Sequence, residues 1–150
     1  MRAAGEPRRW LASFVRPPMS DIGLTHVALP VHSLAESIAF YERFANMRVV
    51  HSRPGIAWLS DRTRPFAIVL MESSAEVRPL LPYAHLGVGV ASRQEVDRLC
   101  QLARAQGCLV REPEDSGPPV GYWAFLRDPD GHTLEIAYGQ ELGLAVERAA

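Results

Sequence analysis

Cysteine is scarce: the 150 residues contain two, Cys100 and Cys108, in neither a C-x-x-C pair nor a regular framework. That excludes a disulfide-stapled secreted scaffold and fits reduced thiols in a cytoplasmic protein. An excess of either charge is missing too. Sixteen basic side chains oppose seventeen acidic ones, for a net charge of -1, so no overall field exists to hold nucleic acid or an anionic membrane surface. No apolar run approaches the roughly 18 to 20 residues that span a bilayer. What is present is ordinary for a globular chain: 47% apolar and 22% charged residues, with 12 Pro and 11 Gly. Such a composition supports one sizeable core with many turns and excludes a disordered chain. Function is therefore expected in a local site for a small molecule.

The first residues stand apart. Arg2, Arg8, Arg9 and Arg16 cluster beside a short apolar stretch, Trp10 to Val15, that stops at Arg16-Pro17-Pro18. The stretch is shorter than most secretory apolar regions, which need about 7 to 15 residues, and no small-residue cleavage site follows it. Residues 1–20 read as a disordered extension, and Met19 stands just before the first structural pattern.

From there the chain repeats itself. His26 and His85 are 59 positions apart; seven residues after each comes a serine, Ser33 and Ser92, and three after each serine a glutamate, Glu36 and Glu95. Both are S-x-x-E capping boxes, in which the serine hydroxyl accepts from the third helical N–H and the glutamate reaches back to the serine N–H. Two helices thus start at one offset from two histidines, and Asn46 and Gly107 fall where they end. Before each box lies a strand, Leu24 to Val31 and Tyr83 to Val90. After each helix come three more: Met47 to His51, Ile56 to Ser60 and Phe66 to Met71, then Cys108 to Glu112, Tyr122 to Arg127 and Thr133 to Tyr138. Asp128-Pro129-Asp130-Gly131 is a hairpin turn, since proline presets one turn position and glycine accepts positive φ. His132, inside that turn, is expected to be exposed and structural. The fold class that follows is α+β: two tandem βαβββ modules forming a curved, cup-shaped mixed sheet backed by helices. Module one spans 21–72, a linker 73–82, module two 83–142, and a tail 143–150.

The repeat also ranks the polar residues. If the two first strands lie side by side, His26 and His85 converge. Glu135 adds a carboxylate inside an apolar strand, where an unpaired charge is costly and a cation offsets the cost. The first module has Ile68 or Val69 at that place. Two imidazoles and one carboxylate, with positions left for water or substrate, suit one divalent metal ion (Fe, Mn, Zn, Ni or Co) and fit structural zinc poorly.

The motifs Leu24-Thr25-His26-Val27-Ala28-Leu29-Pro30-Val31, Ser37-Ile38-Ala39-Phe40-Tyr41, Ala84-His85-Leu86-Gly87-Val88 and Asp128-Pro129-Asp130-Gly131-His132-Thr133-Leu134-Glu135 resemble the vicinal oxygen chelate superfamily. That group contains glyoxalases, fosfomycin-resistance transferases, extradiol dioxygenases and bleomycin-resistance proteins. The resemblance implies paired βαβββ modules, a homodimer, and His26, His85 and Glu135 as metal ligands. The metal site is then built either within one chain or from His26 of one chain with His85 and Glu135 of another. It implies a metal-dependent, glyoxalase-like isomerase or lyase that binds vicinal oxygens. The alternatives are an extradiol ring-cleaving dioxygenase and a non-catalytic protein that sequesters an antibiotic or metabolite.

The sequence departs from each subfamily's pattern. Ile68 or Val69 stands where glyoxalase I carries a fourth ligand, with Glu72 three or four residues late. Phe125 replaces a tyrosine, and Ala28 and Gly139-Gln140-Glu141-Leu142 replace the phosphonate-holding threonine and arginines of the fosfomycin transferases. His51 and Glu72 are the acid-base candidates. Trp58, Tyr122, Trp123 and Thr133 are candidates to line the cup, and Arg53, Arg62 and Arg64 flank one hairpin as candidate anion binders. The segment Asp115 to Gly121, with Gly117-Pro118-Pro119, is a candidate lid.

Overall fold

The two serines start the two helices as expected, each by one half of the capping box. In a computed structural model, which describes residues 23–81 and 83–142, Ser33 caps α1 (Leu34–Phe44) and Ser92 caps α2 (Arg93–Ala105), each hydroxyl accepting from the N–H three residues on. Glu95 turns instead to Arg98 and forms a two-armed ion pair on the helix surface. Past the helices, Asn46 and Gly107 take positive φ, 51° and 70°, the left-handed conformation that reverses the chain. The extension over 1–20 and the tail over 143–150 lie outside the described residues.

The remaining elements are strands: β1 (His26–Val31), β2 (Arg48–Arg53), β3 (Ile56–Ser60) and β4 (Ala67–Glu72) in the first module. The second has β5 (Leu86–Gly89), β6 (Leu109–Asp115), β7 (Tyr122–Arg127) and β8 (Thr133–Tyr138). They form two four-stranded mixed sheets, ordered β1-β4-β3-β2 and β5-β8-β7-β6. In each, the module's first strand runs parallel to its fourth and the rest are antiparallel. Each module is therefore βαβββ with an open, curved sheet. β1 and β5 are both edges, so the two first strands do not pair within the chain.

Alternation decides what each face does. The helix side of module one carries Leu29, Ala57, Leu59, Ile68 and Leu70, and that of module two carries Ala124, Leu126, Leu134 and Ile136, all buried. With Tyr41, Phe44, Val96 and Leu99 they join one core running through both modules. Burying each of the Leu, Ile, Val and Phe side chains among them contributes about 1.5 to 3 kcal/mol.

A polar joint locks the modules beside that core. Tyr41 donates its hydroxyl to Asp128 Oδ2 at 3.0 Å, and the N–H groups of Asp130 and His132 donate to Asp128 Oδ1. His132 is buried, not exposed. Its Nδ1 accepts from the Leu80 N–H at 3.1 Å, and its Nε2 lies 2.9 Å from the Pro30 carbonyl. A backbone N–H can only donate, so the proton sits on Nε2 and is given to Pro30. Turn chemistry placed His132 correctly in the hairpin; the partner 102 positions away that buries it is not a local signal. His32 adds a 2.5 Å contact to Asp130.

Candidate functional site

The face of each sheet away from its helix is where the candidate residues gather. Cross-strand pairing gives the row Gly87–Glu135–Phe125–Arg111 in module two and the row Ala28–Val69–Trp58–His51 in module one. Each row follows its histidine by two residues. Val69, not Ile68, is thus the counterpart of Glu135, and the acid belongs to one module alone.

Glu135 is buried, and its two oxygens have different surroundings. Gln140, two residues past β8, donates its amide to Oε1. The other oxygen, Oε2, lies 3.3 Å from His85 Nε2. His85 in turn places Nδ1 2.6 Å from the Tyr83 carbonyl. A carbonyl only accepts, so Nδ1 carries a proton, and the Nε2 of a neutral ring turns its lone pair toward the carboxylate oxygen. Two lone pairs facing each other at that distance need a cation between them, a proton or a metal ion. The ring leans on Phe125, centroids 5.1 Å apart. A ring nitrogen oriented by a backbone carbonyl and a carboxylate oriented by an amide are the outer-shell supports that metal ligands have.

His26 opens β1 on the exposed face of module one, its Nδ1 3.0 Å from Thr25 Oγ1. It is not brought to the other two: among the described residues no three His, Cys, Asp or Glu side chains form a group that could hold a metal. One chain supplies a pair, His85 and Glu135, and a separate imidazole.

The other candidates divide by face. His51 and Trp58 stand opposite each other on the open face of module one, ring centroids 5.0 Å apart. Trp123 lies on the open face of module two, 4.8 Å from Phe125, with its indole N–H donated to Ser116 at 2.9 Å. Tyr122 is on the helix side instead. Its hydroxyl donates to Asp97 on α2 at 2.7 Å, which pushes its pKa up to about 12, and Arg93 stacks on its ring. Glu72 also misses the open face, because its register partner Val31 points into the core and its carboxylate accepts from the Leu34 N–H at the start of α1. A carboxylate there complements the helix dipole. Thr133 is on the correct face, but it is buried and its hydroxyl donates to the Leu80 carbonyl. Arg62 sits in the loop after β3 at φ 62°, and Arg64 pairs weakly with Asp61 at 4.0 Å. The candidate lid is anchored by Ser116, by the Arg93–Asp115 ion pair and by Gly121. Gln140 was not among the sequence candidates; the signal was its place two residues beyond the acid-bearing strand.

Both cysteines are free thiols. Burial pushes Cys100 up to about 11 and raises Cys108 as well, so neither is a ready nucleophile. Among the described residues no helix is long and apolar enough to cross a membrane.

Comparisons place these features among known proteins. The profile of the Glyoxalase/Bleomycin resistance protein/Dioxygenase superfamily matches residues 23–136. The chain is 45% identical over 128 residues to the uncharacterized protein PA2024 of Pseudomonas aeruginosa, covering 80% of this chain and 91% of that one. It is 27% identical over 143 residues to a probable lactoylglutathione lyase of Vibrio cholerae, covering 86% and 99%. Among solved structures, a point mutant of the fosfomycin resistance protein FosX from Listeria monocytogenes, complexed with Mn(II) and 1S,2S-dihydroxypropylphosphonic acid, superposes with a TM-score of 0.66. That match is at 21% identity and covers 87% of this chain and 99% of the other.

Proposed function

Since the chain belongs to the glyoxalase/bleomycin resistance/dioxygenase superfamily, we propose that it is a divalent-metal-dependent enzyme of the glyoxalase-like isomerase or lyase type, acting on a small molecule with two neighbouring oxygens. The observation that carries this reading is the His85–Glu135 pair. His85 Nε2 and Glu135 Oε2, 3.3 Å apart with each side chain held by an outer partner, fit half of a two-imidazole, one-carboxylate set. The FosX structure with Mn(II) shows that a neighbour in fold takes a divalent ion.

The third ligand in this reading is His26 of a second copy. β1 and β5 are unpaired edges of their own sheets, and the apolar side chains Leu24, Met71, Leu81 and Tyr83 lie exposed near the two histidine strands. Packing β1 of one copy beside β5 of another would cover those side chains, and a two-fold dimer would repeat the site twice.

A metal bound there polarises two substrate oxygens as a Lewis acid. The chain's own residues do the rest. Gln140 fixes the carboxylate of Glu135 and leaves Oε2 free to ligate. The Tyr83 carbonyl keeps the proton on Nδ1 of His85, so Nε2 is the ligating atom. Phe125 and Trp123 keep water from one side of the site, and in this reading His51, on the module-one wall that the second copy contributes with its His26, is the candidate to take or return a proton.

Elemental analysis of untagged protein beside Glu135→Ala tests the reading. About one divalent ion per chain, lost in the variant, supports it; an oxygen-dependent reaction with Fe(II) moves it to the extradiol class. No metal after reconstitution, with ligand binding that survives EDTA, replaces it with the sequestering class.

A further inference from the structure

On the open face of each sheet an arginine lies over a tryptophan. In module one the Arg53 guanidinium is 6.0 Å from the centroid of Trp58. In module two Arg111 is 4.7 Å from the centroid of Trp123. The two arginines differ in one respect. Arg111 is neutralised by Glu114 at 2.6 Å, whereas Arg53 takes part in none of the ion pairs formed by the described residues. It sits at the end of β2, a strand exposed at all six positions, directly opposite Ile56. Next to it, the His51 ring packs against Trp58 at an interplanar angle of 58°.

We infer that Arg53 and Trp58 form a recognition element for the anionic end of a planar, apolar substrate, whose vicinal oxygens occupy the metal end of the same cup. The inference rests on the proposed function for the oxygen end and adds the substrate class. Register sets the scale. Arg53 falls in the row of Pro30, four residues along β1 from His26 and three strands across the sheet, about 13 Å along the strands and about 14 Å across them, on the order of 19 Å in all. An arginine side chain reaches about 7 Å of that, which leaves a substrate body on the order of 10 Å long lying across Trp58. Stacking on the indole suits a conjugated body. A guanidinium without a carboxylate partner suits a carboxylate or similar anion, which it grips with two parallel N–H groups.

The test compares 3,4-dihydroxycinnamate with its neutral methyl ester, two probes of equal shape that carry vicinal hydroxyls at one end and differ in charge at the other. Binding is measured by titration calorimetry on the full chain, once with Mn(II) and once with EDTA. The acid is expected to bind about tenfold tighter than the ester to the wild type. Arg53→Ala should bring the ratio to about one by weakening the acid alone, and Arg53→Lys should restore part of it. Trp58→Ala should weaken both probes equally. Equal affinities in the wild type, a preference that survives Arg53→Ala, or no binding of either probe overturns the inference. Failure of the metal reading shows differently, as affinities indifferent to EDTA while the acid-to-ester ratio still follows Arg53.

Discussion

The two modules share a strand order, a capping serine and a leading histidine, yet at one open-face position module two carries Glu135 where module one carries Val69. Around Glu135 the second module has Gln140, His85 and Phe125; around Val69 the first has Ala28 and Trp58. A repeated unit thus has two uses. One copy bears the cost of a buried carboxylate and organises its neighbours to satisfy it, and the other offers an imidazole, an aromatic wall and an uncompensated arginine. The chemistry lies in the difference.

That asymmetry is open to attack at several points. Replacing Glu135 by Ala should reduce metal affinity by more than about a thousandfold, whereas Val69→Ala at the matching position should leave metal content unchanged; both are read by elemental analysis and metal titration. A smaller contrast concerns the glycine just before each third strand. A Cβ at Gly121 would meet the Tyr138 carbonyl oxygen at 2.2 Å, while one at Gly55 meets nothing within 4 Å. Gly121→Ala should therefore cost about 3 kcal/mol by denaturant unfolding, and Gly55→Ala, where only the positive φ is strained, about 1 kcal/mol. Gln140→Ala should weaken metal binding by about 10 to 100-fold through the misoriented carboxylate, without loss of fold.

The smallest effect is expected at the joint. Burial raises the Asp128 carboxyl above its ordinary range, even though His132, Tyr41 and Asp130 all donate to it. A raised folded-state pKa means that the folded protein holds the proton longer. The stability contribution is therefore full below the unfolded value near 3.9 and is lost as pH rises through the folded pKa. Asp128→Asn should flatten that decline in unfolding profiles taken from about pH 4 upward. Glu95 and Asp115 run the other way: arginine hydrogen bonds hold both below their ordinary range, so their contribution is lost as pH falls. They are common to both proteins and cancel in the difference.

Much of this architecture was legible because its signals are local. A serine three residues before a glutamate, Asp128-Pro129-Asp130-Gly131 and a period of 59 residues need no tertiary information, and Ile56–Ser60, Tyr122–Arg127 and Thr133–Tyr138 form strands at the expected bounds. Faces were harder. Tyr122 and Trp123 are adjacent aromatics, so hydrophobicity does not alternate between them, and a shift of one residue turns a side chain to the other face. The choice between Ile68 and Val69 stayed open for the same reason and needed the parallel pairing of β1 with β4. Burial of His132 and capture of the Glu72 carboxylate by a helix start depend on partners far away in sequence. Separation of His26 from His85 and Glu135 follows from two sheets that do not share an edge, which no pattern within either module encodes.

If two copies complete one site, subunit complementation restores what each damaged copy lacks. Differently tagged His26→Ala and Glu135→Ala chains would be co-expressed, the mixed dimer isolated by both tags, the tags removed, and its metal measured beside each homodimer. Almost none is expected in either homodimer and about one tightly held ion per mixed dimer, because one of its two sites regains an intact His26 and an intact Glu135. A mixed dimer as empty as its parents, while the wild type holds metal, would contradict the shared site.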